Sequence, residues 1–208
     1  MTYIKVPMAI ENKSFEMIEE EMGAHDFTPE ELQVVKRVIH TTADFDYGNI
    51  IYISPEAIKH GVDALAKGAK IYTDTNMALA GINKKALANL GCEATCYVND
   101  EEVRKEAKER NITRSIVGVE KAVREGFNFF VFGNAPTALF TLKELTQAGK
   151  AHPDFIVGAP VGFVGAKESK EEIEELPVPM ITIRGRKGGS NVSAAIVNAL
   201  LYMVTNRE

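Results

Sequence analysis

The 208-residue chain has no tryptophan, only two cysteines, no low-complexity tract and fewer bases than acids, and each shortage removes a class of function. With 24 Lys and Arg against 29 Asp and Glu, the formal net charge is -5 and the pI about 5.5. A protein that neutralises phosphates presents a net basic surface, so no nucleic-acid partner is expected, although a local basic pocket remains open. The lack of tryptophan removes one common base-stacking ring. Cys92 and Cys96 supply neither a disulfide framework nor a zinc cluster, which points to a reducing cytoplasm and no metal site. No segment reaches the roughly 18 unbroken apolar residues of a membrane span, and Met1–Pro7 carries no signal-peptide core. A soluble cytoplasmic protein with no membrane partner is the expectation. Both common nucleotide loops are missing, as is the Gly-x-Ser-x-Gly elbow of a nucleophilic hydrolase.

What the chain does contain is a steady alternation of apolar runs and helical periods. Thr28-Pro29-Glu30-Glu31 reads as a capping box with proline in the first turn. The helix it starts runs towards His40, with Leu32, Val35, Val38 and Ile39 on its apolar side. Residues 50–53 form a strand, and Ser54-Pro55 opens a helix with an Ile58, Val62, Leu65, Ala66 stripe that Gly68 stops. Further strands are expected at 70–73, 95–98, 127–132, 155–157 and 180–183. Between them lie a short helix ending at Gly81, a charged helix capped by Asn99, helices at 113–125, 136–148 and 167–175, and a last one from Gly189. Such units predict an α/β fold: a single domain over residues 1–208, with a mainly parallel central sheet of about five or six strands and helices on both faces. Residues 1–45 form a mostly helical N-terminal part that either packs on the sheet or reaches across to a partner subunit.

Three loops follow strands, Asn134–Phe140, Gly158–Ala166 and Arg184–Ser190, the last two of them glycine-rich. The carboxyl ends of parallel strands are where α/β proteins hold ligands. His40, at the end of a capped helix and ahead of Asp44 and Asp46, is the acid/base candidate, because imidazole exchanges protons near neutral pH; its plain alternative is a C-capping histidine. His25, His60 and His152 have weaker claims. Arg37 lies one turn before His40, and Arg184, Arg186 and Lys187 surround Gly188-Gly189-Ser190 at a helix start, which is either an anion site or turn chemistry. Asn134 and Thr137 either cap a helix or offer polar contacts to a ligand. Phe163 is either a ring flanking a flat ligand or part of the core.

Taken in order, Lys13-Ser14-Phe15, Arg37-Val38-Ile39-His40, Thr73-Asp74-Thr75-Asn76-Met77, Thr113-Arg114-Ser115, Gly133-Asn134-Ala135-Pro136-Thr137-Ala138-Leu139, the run from Ala159 to Ser169 and the run from Arg184 to Ser190 closely resemble the precorrin-8X methylmutase family, which includes the cobalt-precorrin-8 enzymes. The resemblance implies an isomerase of cobalamin biosynthesis that moves a methyl group from C-11 to C-12 of the corrinoid ring, giving hydrogenobyrinate or cobyrinate. It implies no cofactor and no methyl donor; any cobalt arrives inside the substrate. It assigns His40 as the proton donor or acceptor, assigns Ser14 and Arg37 to substrate binding, and implies a homodimer. A flat, carboxylate-rich tetrapyrrole suits the cations and amides of Arg37, Arg114, Arg184, Arg186, Asn134, Thr137 and Gly188-Gly189-Ser190, with Phe163 and Val164 as the apolar wall. The stretch Thr41–Asp46 resembles the cobalt-pathway members more than those of the oxygen-dependent route. Two rivals remain: a non-catalytic corrinoid carrier using the same loops, and an unrelated α/β enzyme acting on a phosphorylated metabolite at Gly188-Gly189-Ser190.

Overall fold

The computed structural model of the protein describes residues 5–205; the first four residues of the Met1–Pro7 segment lie outside them. In chain order, α1 (Pro7–Met22) and α2 (Pro29–Thr42) lead through the single turn α3 (Tyr47–Ile50) to β1 (Ile51–Ile53), and α4 (Ala57–Ala66) leads to β2 (Lys70–Thr73). The short helices α5 (Asn76–Gly81) and α6 (Lys84–Asn89) precede β3 (Glu93–Thr95), and α7 (Glu101–Arg110) and α8 (Arg114–Arg124) precede β4 (Phe129–Phe132). Then come α9 (Pro136–Gln147), β5 (Phe155–Gly158), α10 (Ala166–Ile173), β6 (Met180–Ile183) and α11 (Ser190–Thr205).

The six strands form one sheet in the order β1-β6-β5-β4-β2-β3. Five run parallel, and β1 closes one edge antiparallel to β6, with Ile51 opposite Ile183 and Ile53 opposite Ile181. β4, β5 and β6 are buried along their whole length because both faces are covered. Alternation then sorts their side chains. Phe129, Val131, Phe155, Val157 and Ile181 enter a core shared with α1, α2, α4 and α11, while Phe130, Phe132, Ile156 and Met180 enter a second core under α8, α9 and α10. Phe129, Phe130, Phe132 and Phe155 have no solvent exposure, and each such side chain stabilises the fold by roughly 1.5–3 kcal/mol.

Four local readings shift. Ser54 does not open α4: its Oγ accepts the Met180 N–H at 2.9 Å, tying β1 to β6, and the helix begins at Ala57 after Glu56 turns left-handed. Of the expected α4 stripe, Ile58, Val62 and Leu65 pack on the core but Ala66 is exposed, and Gly61 lies on the buried side, where a Cβ would meet Leu200 Cδ1 at 2.9 Å. β3 ends at Thr95, and Asp100 rather than Asn99 caps α7 by accepting from the Val103 N–H. α6, capped by Asn83, is an extra element. The capping box at Thr28 and Glu31 forms with both of its hydrogen bonds.

After β2 the chain moves outward to β3, then returns to place β4 on the other side of β2. The loops leaving β2 and β4 therefore diverge and open a crevice at the carboxyl edge of the sheet. Among the described residues no helix is long and apolar enough to cross a membrane.

Candidate active site

Asp74, the first residue after β2, sits in that crevice and is only 4% exposed. Its carboxylate accepts the backbone N–H groups of Gly133 at 2.8 Å, Asn134 at 2.9 Å and Ala135 at 2.7 Å. α9 has no side-chain cap, and the Asp74 carboxylate instead gathers the amides of the loop that leads into it, up to its N-cap residue Ala135. Burial raises the Asp74 pKa against the lowering effect of these amides. Thr75 adds a second tie, its Oγ1 lying 2.8 Å from Ser190 Oγ at the start of α11. The loops after β2, β4 and β6 are thus fixed to one another before any ligand arrives.

Gly188 and Gly189 adopt φ of 149° and 129°, a region open mainly to glycine. A Cβ on Gly188 would lie 2.3 Å from the Ala159 carbonyl oxygen. That close approach lets the Gly189 N–H reach Ala159 O at 2.8 Å, while Gly162 N–H donates to Arg186 O at 3.1 Å. The β5 loop ends in an apolar tip: Phe163 is 81% and Val164 92% exposed, with the Arg186 guanidinium 5.5 Å from the Phe163 ring centre. Phe163 is therefore not a core residue.

His40 is exposed in the last turn of α2, where its ring meets Phe15 edge-on at 5.4 Å. Two grooves flank it. One, of about 250 Å³, lies against α1 and is lined by Ser14, Met17 and Phe45. The other, of about 280 Å³, lies against α11 and is lined by Arg37, Asn191, Asn198 and Tyr202. Ser14 and Arg37 thus reach His40 from opposite sides. Ser14 Oγ donates to Ile10 O at 2.8 Å. Arg37 pairs with Glu11 at 2.9 Å, and its guanidinium lies 4.8 Å from the Phe15 ring centre and 5.0 Å from that of Tyr202. Beyond His40, Lys187 Nζ ion-pairs with Asp44 and with Asp46, the latter at 3.1 Å, and this contact lowers the Asp44 pKa. Tyr47 donates to Gly188 O at 3.4 Å, so α2 and α3 are joined to the β6 loop.

The remaining candidates fall into two places. Thr113 Oγ1, Ser115 Oγ and Thr137 Oγ1 form a triangle with sides of 2.9, 3.1 and 3.2 Å where α8 and α9 begin together, and Arg114 beside it donates to Val98 O at 2.9 Å. Arg184 turns to α10 instead, where it pairs with Glu174 at 2.8 Å and stacks on Tyr52. Asp74 stands in the sequence only within the Thr73–Met77 string, with no role assigned to it, and Lys170 is not singled out at all. An aspartate directly after an apolar strand was the visible signal for the first; nothing local marked the second. No group of three or more His, Cys, Asp or Glu among the described residues could hold a metal.

Comparison with known proteins gives a consistent answer. A family model described as precorrin-8X methylmutase matches residues 9–203. The chain is 49% identical to a cobalt-precorrin-8 methylmutase of Salmonella typhimurium strain LT2, covering 97% of this chain and 98% of that one. It is 47% identical to a protein of the same name from Leptospira interrogans, over 95% and 94% of the two chains. A crystal structure of precorrin-8X methyl mutase from Thermus thermophilus superposes with a TM-score of 0.88 at 37% identity, covering 95% of this chain and 98% of that chain. With nearly full-length agreement in both sequence and fold, this chain belongs to the precorrin-8X methylmutase family.

Proposed function

We propose that this protein moves a methyl group from C-11 to C-12 of a corrinoid precursor of the precorrin-8 type, with His40 as the proton donor and acceptor. It is an isomerase of cobalamin biosynthesis, an intramolecular methyl transferase. The observation that carries this reading is the coincidence of full-length family membership with an exposed histidine between two open grooves. The migrating methyl leaves one ring carbon and joins its neighbour in the same molecule, so no donor is consumed. What the protein supplies is orientation and one proton, which His40 lends to the ring and takes back. Cobalt, when present, is part of the substrate. The names of the two relatives above favour the cobalt form.

The rigid loop cluster suits a large flat polycarboxylate. Arg186, the exposed Asn134 side chain and the α8–α9 hydroxyl triangle with Arg114 offer donors to carboxylates, while Phe163 and Val164 offer apolar surface to the ring. Neither groove beside His40 reaches the roughly 300–1,000 Å³ of pockets that enclose a drug-sized ligand. A second subunit completing the site is therefore part of the proposal, and sedimentation at micromolar concentration should show a dimer. A reducing cytoplasm fits the two free, half-buried thiols.

The test is a spectrophotometric titration with cobyrinic and hydrogenobyrinic acids. Tight binding with a shifted corrin spectrum is expected, with the preferred acid reporting the cobalt or metal-free form. Absence of binding by both, combined with stabilisation by inorganic phosphate, would transfer the assignment to the phosphorylated-metabolite reading.

A further inference from the structure

Lys170, in the last turn of α10, has no solvent exposure. Its ammonium meets two backbone carbonyls, donating to Pro160 O at 2.9 Å and to Lys187 O at 2.8 Å. Those carbonyls belong to the two loops that carry the apolar tip and the cations of the site. Above and below this bridge the loops are joined by Gly189 N–H to Ala159 O and by Gly162 N–H to Arg186 O, so Lys170 sits inside a zipper. The Lys187 side chain continues the chain of contacts to Asp44 and Asp46, four and six residues after His40.

We propose that Lys170 is a positioning residue for methyl transfer, tying the β5 and β6 loops into one unit and so setting where Phe163, Arg186 and the start of α11 meet the corrinoid. The inference rests on the methylmutase reading. A buried lysine is an expensive way to satisfy two carbonyls that water or a neutral side chain could serve, and its location between two ligand-facing loops gives it a use. Burial lowers its pKa to about 8. Its charged surroundings are largely neutralised. On its own helix Glu174 is held by Arg184 and Thr182. From α9, Lys143 pairs with Glu172 and Glu175. From the β6 loop, Lys187 faces Asp44 and Asp46 while Arg186 lies over Phe163. A change in Lys170 charge is thus felt first by the two carbonyls, whose hold weakens when the ammonium becomes an amine.

The experiment compares the full-length protein with K170M and K170R in cobyrinic acid titrations across neutral to alkaline pH, alongside turnover of cobalt-precorrin-8. Wild-type affinity should fall through an inflection near pH 8. K170M should bind about ten-fold more weakly at neutral pH, with no inflection and with KM affected more than kcat, as expected for losing charge-assisted hydrogen bonds that hold a binding surface. K170R, charged throughout, should recover part of the affinity and also lose the inflection. An inflection persisting in K170R, or K170M binding within two-fold of wild type, overturns the proposal. Should K170M not fold, the wild-type and K170R profiles decide. Wild type that neither binds nor converts the corrinoids overturns the methylmutase reading itself, a result distinct from a working enzyme indifferent to Lys170.

Discussion

Replacing Gly188 by alanine is the sharpest local perturbation this site offers. The added methyl carbon would lie 2.3 Å from Ala159 O and 2.9 Å from the Ala159 carbonyl carbon, both backbone atoms that cannot swing aside. Restoring ordinary contact requires the β5 and β6 loops to part by about 1 Å, against the Gly189 to Ala159 and Gly162 to Arg186 hydrogen bonds that hold them. A φ of 149° adds backbone strain of roughly 1–3 kcal/mol for a residue with a Cβ, and overpacking adds roughly 1–3 kcal/mol. The penalty is about 3 kcal/mol, shared between stability and loop displacement. If stability bears all of it, the Tm of a protein this size falls by about 6–12 °C. If the loops give way, the shift of about 1 Å at the reacting geometry lowers turnover by up to about a hundred-fold. Differential scanning fluorimetry and single-turnover conversion of cobalt-precorrin-8 read the two shares. A G188A protein with Tm within a degree of wild type and turnover within two-fold would refute the close approach of these loops.

D74N keeps the shape of the crevice but turns one oxygen from acceptor to donor, leaving at least one of the three amides opposed by an N–H. Relief of the buried charge offsets part of the loss, so urea unfolding should show a decrease of about 1–2 kcal/mol. An unchanged midpoint would mean that the carboxylate does not anchor the β4 loop. The buried ammonium of Lys170 predicts the sign of a pH effect. Its folded pKa of about 8 lies below the ordinary 10.5, so the unfolded chain binds more protons between these values and stability rises with pH across that window. The gain is about 3 kcal/mol, at about 1.4 kcal/mol per unit. It should be measurable as the difference between wild type and K170M, whose difference would stay constant with pH if Lys170 were solvated.

Much of the architecture was legible because its causes are local. The apolar runs that became β4, β5 and β6 are long enough to be buried on both faces, and Thr28 with Glu31 closes a helix start within four residues. α6 was missed because six residues show too little of a helical period to stand out, even with Asn83 as its cap. Ser54 misled because its hydroxyl is used by the backbone of β6, far away in sequence. The site divides in the same way. The strings around His40, Phe163 and Gly188 are visible as loops after periodic segments, and the resemblance they carry covers most of the chain. Arg184 looked like a site cation because it neighbours Arg186, but strand alternation turns it to the α10 face and Glu174. Asp74 and Lys170 act on backbone atoms 59 and more residues away in the first case, and on two separate loops in the second, so only the folded chain displays what they hold.

Single-turnover conversion of cobalt-precorrin-8 by wild type and H40A at equal, saturating protein, with cobyrinic acid binding measured on the same samples, separates proton transfer by His40 from binding. H40A should bind cobyrinic acid within about ten-fold of wild type, because the loop cluster is intact, while formation of cobyrinate falls by at least about a hundred-fold, the lower range for removing a general acid-base group. Wild-type turnover in H40A would contradict the role of His40. Tight binding without conversion by the wild-type protein would make it a carrier.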